Sequence, residues 1–554
     1  MRFSRPQGAG VAAMLSSVVL VSLVLSAPGS SAAPAGRAAT VAQPAGAAAA
    51  QRQVQGTASP AGPVRPALLT AAGATDASAS PSLLTAAASA APNRIGTPAR
   101  TRTYDGGYLQ GTTRTTANGE AFSAAVVGNV TNHTDGDTDI IGAYLDGTVH
   151  VWSQKTGRQL FVVQTGGPIA ASPGLFRMKP GGQLYVTIAN KAGHVYVYSF
   201  TGGRTRVVFH KQVSYEGKTG VFGTPVVADL DKNGKMYLVA TAWTQHVYVW
   251  DIATGANKRG FPIWVKDTVW SSPVVSDIDN DGYSEIIFGY DCGGGGTQIC
   301  HVKYKSKGGF VTVYDHNGRL RPGWPKFIPG QVVWSTPAVA NIVGDSGKEI
   351  IVGTGLFWPG AGKQTWVLDR NGRTIKTVPM LGRTFASPAI GDVLHTGRAQ
   401  IVITDDTGYT DIIDTNWHRL AHVCTARISG GRCATSHTSP IIGDVNNDGY
   451  QEVITAGSNS FYVIDHTRKA VVSVQIPETF YGLSASPTLV NRAGRATLYF
   501  ALMAKSSGGN RAQVMAYTFP TAAGNSAWPT FKVNAARNGV ANQATVNPPV
   551  GQTR

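Results

Sequence analysis

From about Ala121 onward the chain repeats one hydrophobic pattern. A Ser-Pro or Thr-Pro pair opens a short apolar run. A polar turn follows, then a second apolar run, then a third run in which apolar and polar positions alternate. The pairs are Ser172-Pro173, Thr224-Pro225, Ser272-Pro273, Thr336-Pro337, Ser387-Pro388, Ser439-Pro440 and Ser486-Pro487. Their prolines are 52, 48, 64, 51, 52 and 47 residues apart. A degenerate copy at Ser123-Ala124, 49 residues before Pro173, makes eight units. They span roughly Ala121 to Asn542.

Unit four shows what each run predicts. SPVVSDI reads as a first strand, DNDG as a turn, and SEIIFGY as a second strand. After a Gly-rich loop, GGFVTVYDH is a third strand and GWPKF lies in a fourth. Asn317-Gly318 between them is a hairpin turn signal, because both residues tolerate positive φ. The third strand recurs as HVYVYSF, HVYVWD and FYVIDH, and the fourth as GFPIW, GWPKF and AWPTF. A proline there removes a ladder donor, so that strand belongs at an edge. A four-stranded sheet of this size cannot bury both faces alone, whereas copies arranged radially bury one another. The expected fold is an all-β propeller of eight four-stranded blades, or of seven if one unit donates its strands elsewhere. Two modes of ring closure stay open. The last unit can supply its own fourth strand at 527–531, or the stretch 103–117 can close the ring.

The flanks differ in composition. Arg2 and Arg5 precede the apolar run 11–27, and small residues follow at Ser30 to Ala33. This is the order of a secretory signal. We expect a signal peptide over 1–33, a disordered Ala/Pro-rich linker or pro-segment over 34–102, the propeller over 103–542, and a disordered tail over 543–554. The linker has almost no aromatic residues and cannot bury enough apolar area to offset its ordering entropy. The product is expected to be secreted, either released or retained at a cell wall, without a membrane span after cleavage, and monomeric.

Charge and cysteines narrow the partners. Only 14% of residues are charged, against a usual ~25%, which argues against coiled coils and helical solenoids. The net charge of +17 attracts anionic polymers. Lys and Arg are scattered, with no basic helix, so nucleic acid is not an expected partner. Extracellular polysaccharide or protein is. Four cysteines bracket two short loops, and we expect disulfides Cys292–Cys300 and Cys424–Cys433.

The first hairpin turn carries candidate chemistry. Unit four reads Asp277, Asp279, Asp281, Tyr283 and Glu285 at positions 1, 3, 5, 7 and 9, and unit seven reads Asp444, Asn446, Asp448, Tyr450 and Glu452. Oxygens at 1, 3, 5 and 9 can converge on one cation, with the carbonyl of position 7. Gly at position 6 permits the bend. Hard oxygen ligands in such a loop suit Ca²⁺. An EF-hand would need Glu at position 12, where Phe288 and Thr455 stand. Unit three offers Asp229, Asp231 and Asn233, but Tyr237 replaces its last carboxylate.

With SPVVSDIDNDGYSEIIFG and SPIIGDVNNDGYQEVITAG, the chain resembles the integrin-type FG-GAP and VCBS repeat propellers. The resemblance covers about 420 residues. It implies a propeller with structural Ca²⁺ in these hairpins. The family's glycine signature is poorly kept, with Phe222-Gly223 the nearest remnant. The third strands also look like quinoprotein-type blades, but the adjacent cysteines such dehydrogenases often show are absent.

No G-x-S-x-G, H-E-x-x-H or phosphate loop is found. The aspartates that end third strands, Asp251, Asp315, Asp369 and Asp465, recur with the repeat and are read as turn residues. His150, His194 and His246 lie in third strands and are read as repeat echoes. Trp243, Trp270, Trp334, Trp358 and Trp417 are candidates for inter-blade packing or for a glycan surface. The expected function is a non-enzymatic binding or adhesion module. The alternative is a carbohydrate-active enzyme, a lyase or hydrolase, with its site on one propeller face. The insertions 293–308 and 355–363 are the candidate loops of such a face.

Overall fold

The computed structural model describes residues 94–109, 123–293, 299–356, 363–424, 433, 435–476, 485–506, 509–532 and 534. The signal peptide, most of the linker and the tail expected from the sequence lie outside them, as do residues 294–298 of the first insertion and 357–362, with Trp358, of the second.

Eight four-stranded antiparallel sheets form the blades. Blade four is Val274–Ser276, Glu285–Cys292, Gly308–Tyr314 and Lys326–Pro329, in that order from the centre outward. Blade seven is Ile441–Gly443, Glu452–Gly457, Ser460–Ile464 and Ala470–Gln475. Second strands such as Glu349–Gly353 and Gln400–Thr404 are buried at every position. Neighbouring blades cover both of their faces. Fourth strands such as Gln159–Gln164 are largely exposed. The apolar core is accordingly a set of layers between blades. One joins Val126 and Ile141 of the first blade to Leu175 and Ile188 of the second, and another joins Tyr104 and Tyr499 to Ile140 and Trp152.

The recurrent Ser/Thr before proline has a physical cause. Ser172 N–H donates to Thr224 Oγ1 at 2.9 Å, and Thr224 N–H to Ser272 Oγ at 2.9 Å. The same bond links Ser272 to Thr336, Thr336 to Ser387, Ser387 to Ser439 and Ser439 to Ser486. Each hydroxyl ties its blade to the one before, around the central channel. Each such bond contributes on the order of 1 kcal/mol. In blade one, Ala124 donates to Ser172 Oγ at 2.9 Å and so takes the place of the serine. The degenerate pair is therefore Ala124-Ala125, one residue later than the sequence suggested. At the last junction Thr488 Oγ1 donates to Ala125 O instead, at 2.7 Å.

Ring closure comes from the N-terminal side. Ala99–Tyr108 is the outermost strand of blade eight and pairs with Gly509–Ala522. The propeller thus begins four residues before the expected boundary at 103. The segment 527–531 is not a fourth strand, contrary to expectation. It enters the channel between the inner strands of blades seven and eight: Ile442 N–H donates to Trp528 O at 2.8 Å, and Leu489 N–H to Pro529 O at 2.7 Å. Trp528 is buried, and Lys532 Nζ reaches Pro273 O of blade four at 2.6 Å. The prolines of GFPIW and GWPKF do sit at outer edges, next to Ile263–Trp264 and Lys326–Pro329. Both expected disulfides, Cys292–Cys300 and Cys424–Cys433, are present.

Candidate functional site

The hairpin between first and second strands is built alike in several blades. Its last residue pins its start: Ile278 N–H donates to Glu285 Oε2 at 3.0 Å, Ile342 to Glu349 Oε2 at 2.8 Å, and Val445 to Glu452 Oε2 at 2.9 Å. One carboxylate oxygen is thereby used, and the second faces the loop. Gly282 and Gly449 have φ of +92° and +87°, which only glycine adopts without strain, and their N–H groups donate to Asp277 and Asp444. Position 4 is also left-handed, at Asn280 and Asn447. Tyr283 and Tyr450 stack on His316 and His466, with centroids 4.3 and 4.2 Å apart.

In blade four, carboxylate oxygens of Asp277, Asp279 and Glu285 lie within 4.8 Å of one another. Asp277 Oδ1 is buried without a partner. Burial raises the Glu285 carboxyl to about 7, and Asp279 and Asp281 add to the rise. Blade seven is more enclosed: Asp444, Asn446 and Glu452 are all buried, and Asn446 Nδ2 donates to Asp448 Oδ2 at 2.9 Å. Glu452 Oε1 has no partner, and burial raises this carboxyl to about 9. Both donor sets suit a hard cation. In blade three Asp229 accepts the N–H groups of Asn233 and Gly234, while Asp231 accepts from Tyr237 Oη at 2.9 Å and from Lys258 Nζ at 2.5 Å. Burial works against Asp231, but these two donors hold its carboxyl below the ordinary value.

A second site lies at one mouth of the channel. The residue two places before each Ser/Thr-Pro pair is Phe222, Trp270, Trp334, Phe385 or His437 in five successive blades. All five are half-buried and form a continuous arc. Centroid distances are 4.8 Å for Phe222–Trp270, 4.7 Å for Trp270–Trp334, 5.0 Å for Trp334–Phe385 and 5.7 Å for Phe385–His437. Trp243 stacks on Phe222 at 4.1 Å. Lys191 Nζ and Arg383 Cζ lie 5.0 Å from the Phe222 and Phe385 centroids. The arc walls a cavity of about 140 Å³ whose lining includes the Ser/Thr belt and Phe531. Beside it, both oxygens of Asp291 accept from Trp334 Nε1, at 2.9 and 3.0 Å. Burial, with Asp267 nearby, raises the Asp291 carboxyl to about 8.

Trp270 and Trp334 were legible as an equivalent pair in the sequence. Phe222 was noted only as a remnant of the glycine signature, and Phe385, His437 and Asp291 were not singled out, although the same offset from the proline marks Phe222, Phe385 and His437. Trp417 packs against the core instead. The strand-end aspartates are turn residues as expected, with Asp315 Oδ1 accepting from Asn317 and Arg319. His194 and His246 remain apart in role: His194 Nδ1 meets His210 Nε2 at 3.0 Å, and His246 Nδ1 meets Thr244 O at 2.6 Å.

No family model and no curated protein matches the chain. Solved structures with similar backbones include BamB from Moraxella catarrhalis, 12% identical with a TM-score of 0.48, covering 76% of this chain and all of that one. Saccharomyces cerevisiae Sqt1 is 12% identical with a TM-score of 0.49, over 78% of this chain and all of that one. BBS1N in complex with ARL6DN is 10% identical with a TM-score of 0.40, over 77% and 98%. Likeness at this level carries no information about ligand or activity.

Proposed function

We propose that this protein is a secreted, calcium-stabilised propeller that binds extracellular polysaccharide at its aromatic mouth without transforming it. The arc from Trp243 to His437 carries the reading. A contiguous, half-exposed aromatic wall around a concave, hydroxyl-lined floor marks a ligand surface rather than packing alone. Sugars present C–H faces to such rings and hydroxyls to such a floor. The net charge of +17 favours anionic chains. Export is supported by the signal-like N-terminus and by two disulfides.

Calcium fits the hairpins of blades four and seven. Asp277, Asp279, Asp281, Glu285 and the Tyr283 carbonyl would hold one ion, and Asp444, Asn446, Asp448, Glu452 and the Tyr450 carbonyl another. The ion supplies charge neutralisation that pins the first two strands together. The buried, partnerless Glu452 Oε1 supports this. We assign the role as structural, because each loop joins the first and second strands of its blade.

A binding panel of acidic and neutral cell-wall glycans, with Ca²⁺ and with chelator, tests the reading. Saturable binding that Trp334→Ala abolishes without lowering the melting temperature supports it. Binding unaffected by Trp270→Ala and Trp334→Ala would remove the mouth from the proposal, and binding to no glycan would favour a protein partner. A second reading, a carbohydrate-active enzyme, rests on Asp291 alone. A carboxyl with a raised pKa beside a sugar surface is what a general acid needs. Release of reducing ends that Asp291→Asn stops would establish it.

A further inference from the structure

Blades three and four carry a basic side chain at the same structural position. Lys258 stands three residues before Phe261-Pro262, and Arg321 three residues before Trp324-Pro325. The main chain repeats as well. Lys258 N–H donates to Val249 O at 2.8 Å and Arg321 N–H to Val313 O at 3.0 Å, while their carbonyls accept from Phe261 and Trp324. Each side chain then runs to the acidic hairpin of its own blade.

What each arm does there differs. Lys258 is 6% exposed and its ammonium bonds Asp231, the position-3 carboxylate, with Tyr237 on the other oxygen. No carboxylate at position 9 remains to attract a metal. Arg321 bonds Asp279 directly, and its Nη1 lies 3.9 Å from both Asp281 Oδ2 and Glu285 Oε1. The guanidinium therefore touches positions 3, 5 and 9, whose oxygens a cation would take. Blade seven has no such arm among its described residues. Its turn from Asp465 to Lys469 is short, and Arg468 donates to Leu420 O of blade six at 3.3 Å. Glu452 Oε1 is left buried and partnerless.

We propose that Lys258 and Arg321 are built-in counter-cations that rank the hairpins as calcium sites, an inference that rests on the calcium reading above. Blade seven binds without competition. Blade four binds only by displacing Arg321, and blade three is closed by Lys258. A tethered cation competes at high effective concentration. A divalent ion replaces it by higher charge and more ligands, and the arm swings to solvent. Calcium would thus change the surface of blade four and leave blade seven as it is.

Calcium titration calorimetry on the full chain tests this, with wild type, Glu452→Gln, Arg321→Gln and Arg321→Lys. Wild type should show one tight and one weak site. Glu452→Gln should remove the tight site alone. Arg321→Gln should tighten the weak site by about tenfold or more, with Arg321→Lys between. In chelator, Arg321→Gln should lower the melting temperature, and saturating Ca²⁺ should restore it. Two sites of equal affinity, unmoved by Arg321→Gln, would overturn the ranking and leave the calcium reading standing. No calcium uptake by wild type or any variant would overturn both.

Discussion

The hairpins of blades four and seven share one nine-residue pattern and live in different surroundings. In blade four, Asp279, Asp281 and Glu285 face Arg321 from the same blade. In blade seven the loop is covered by chain from the far end of the sequence. Asp444 N–H donates to Asn525 O, its carbonyl accepts from Gly524, and Thr521 Oγ1 donates to Val445 O. One loop has its charge balanced from within and stays half-open. The other is buried with a carboxylate oxygen unanswered. The lesson is that a shared acidic motif fixes which carboxylates meet, while neighbours decide which of their charges go unanswered.

The largest expected effect breaks the comparison on the blade-seven side. Glu452→Gln should cost about 3 kcal/mol of stability when Ca²⁺ stands about a hundredfold above its dissociation constant. In chelator the same change should cost nothing or stabilise, because the buried carboxyl is already held protonated up to about 9. Chemical denaturation in the two buffers checks this. The next effect lies at the other end of blade four's second strand. Asp291 has a folded pKa of about 8, above its ordinary value, so its contribution is present below about 4 and is lost as pH rises through 8. Wild type should therefore lose stability relative to Asp291→Asn as pH rises from 4 to 9.

Asp279→Ala with Asp281→Ala should remove one calcium from the stoichiometry. It should lower stability in Ca²⁺ by about 1 kcal/mol, less than Glu452→Gln does, because Arg321 already offsets part of the charge. The smallest effect concerns what the two hairpins share. His316→Ala and His466→Ala each remove a ring stacked on the position-7 tyrosine and should cost about 0.5–1.5 kcal/mol. Equal losses would mark the stack as a common support, and a loss only at His466 would tie it to the buried loop.

Much of this architecture was legible because the repeat rewrites the same local rules. The Ser/Thr-Pro offset, the alternating third strand and the Asp-Gly turn are short-range signals, and each predicted element followed from them. The disulfides were legible for the same reason, since each closes a loop of fewer than a dozen residues. The misreadings were long-range. AWPTF matches GWPKF residue for residue in type, yet it lies in the channel, because Ala99–Tyr108 had already taken the outer edge of blade eight. No local pattern announces a pairing such as Thr103 with Met515. The mouth was half legible: the sequence placed two tryptophans at one offset, but only the ring geometry joined them to Phe222, Phe385 and His437.

By itself, then, the sequence determined the blade, the number of copies, the turn chemistry and which acidic residues the hairpins carry. These depend on periodicity, backbone dihedral demands and residue type within a few positions. Tertiary structure alone decided which strand closes the ring, what fills the channel, which aromatic rings stack, and which acidic loop meets an arginine, a lysine or nothing. Those outcomes depend on burial and on the approach of groups tens to hundreds of residues apart, where electrostatic need is set by the whole surrounding volume.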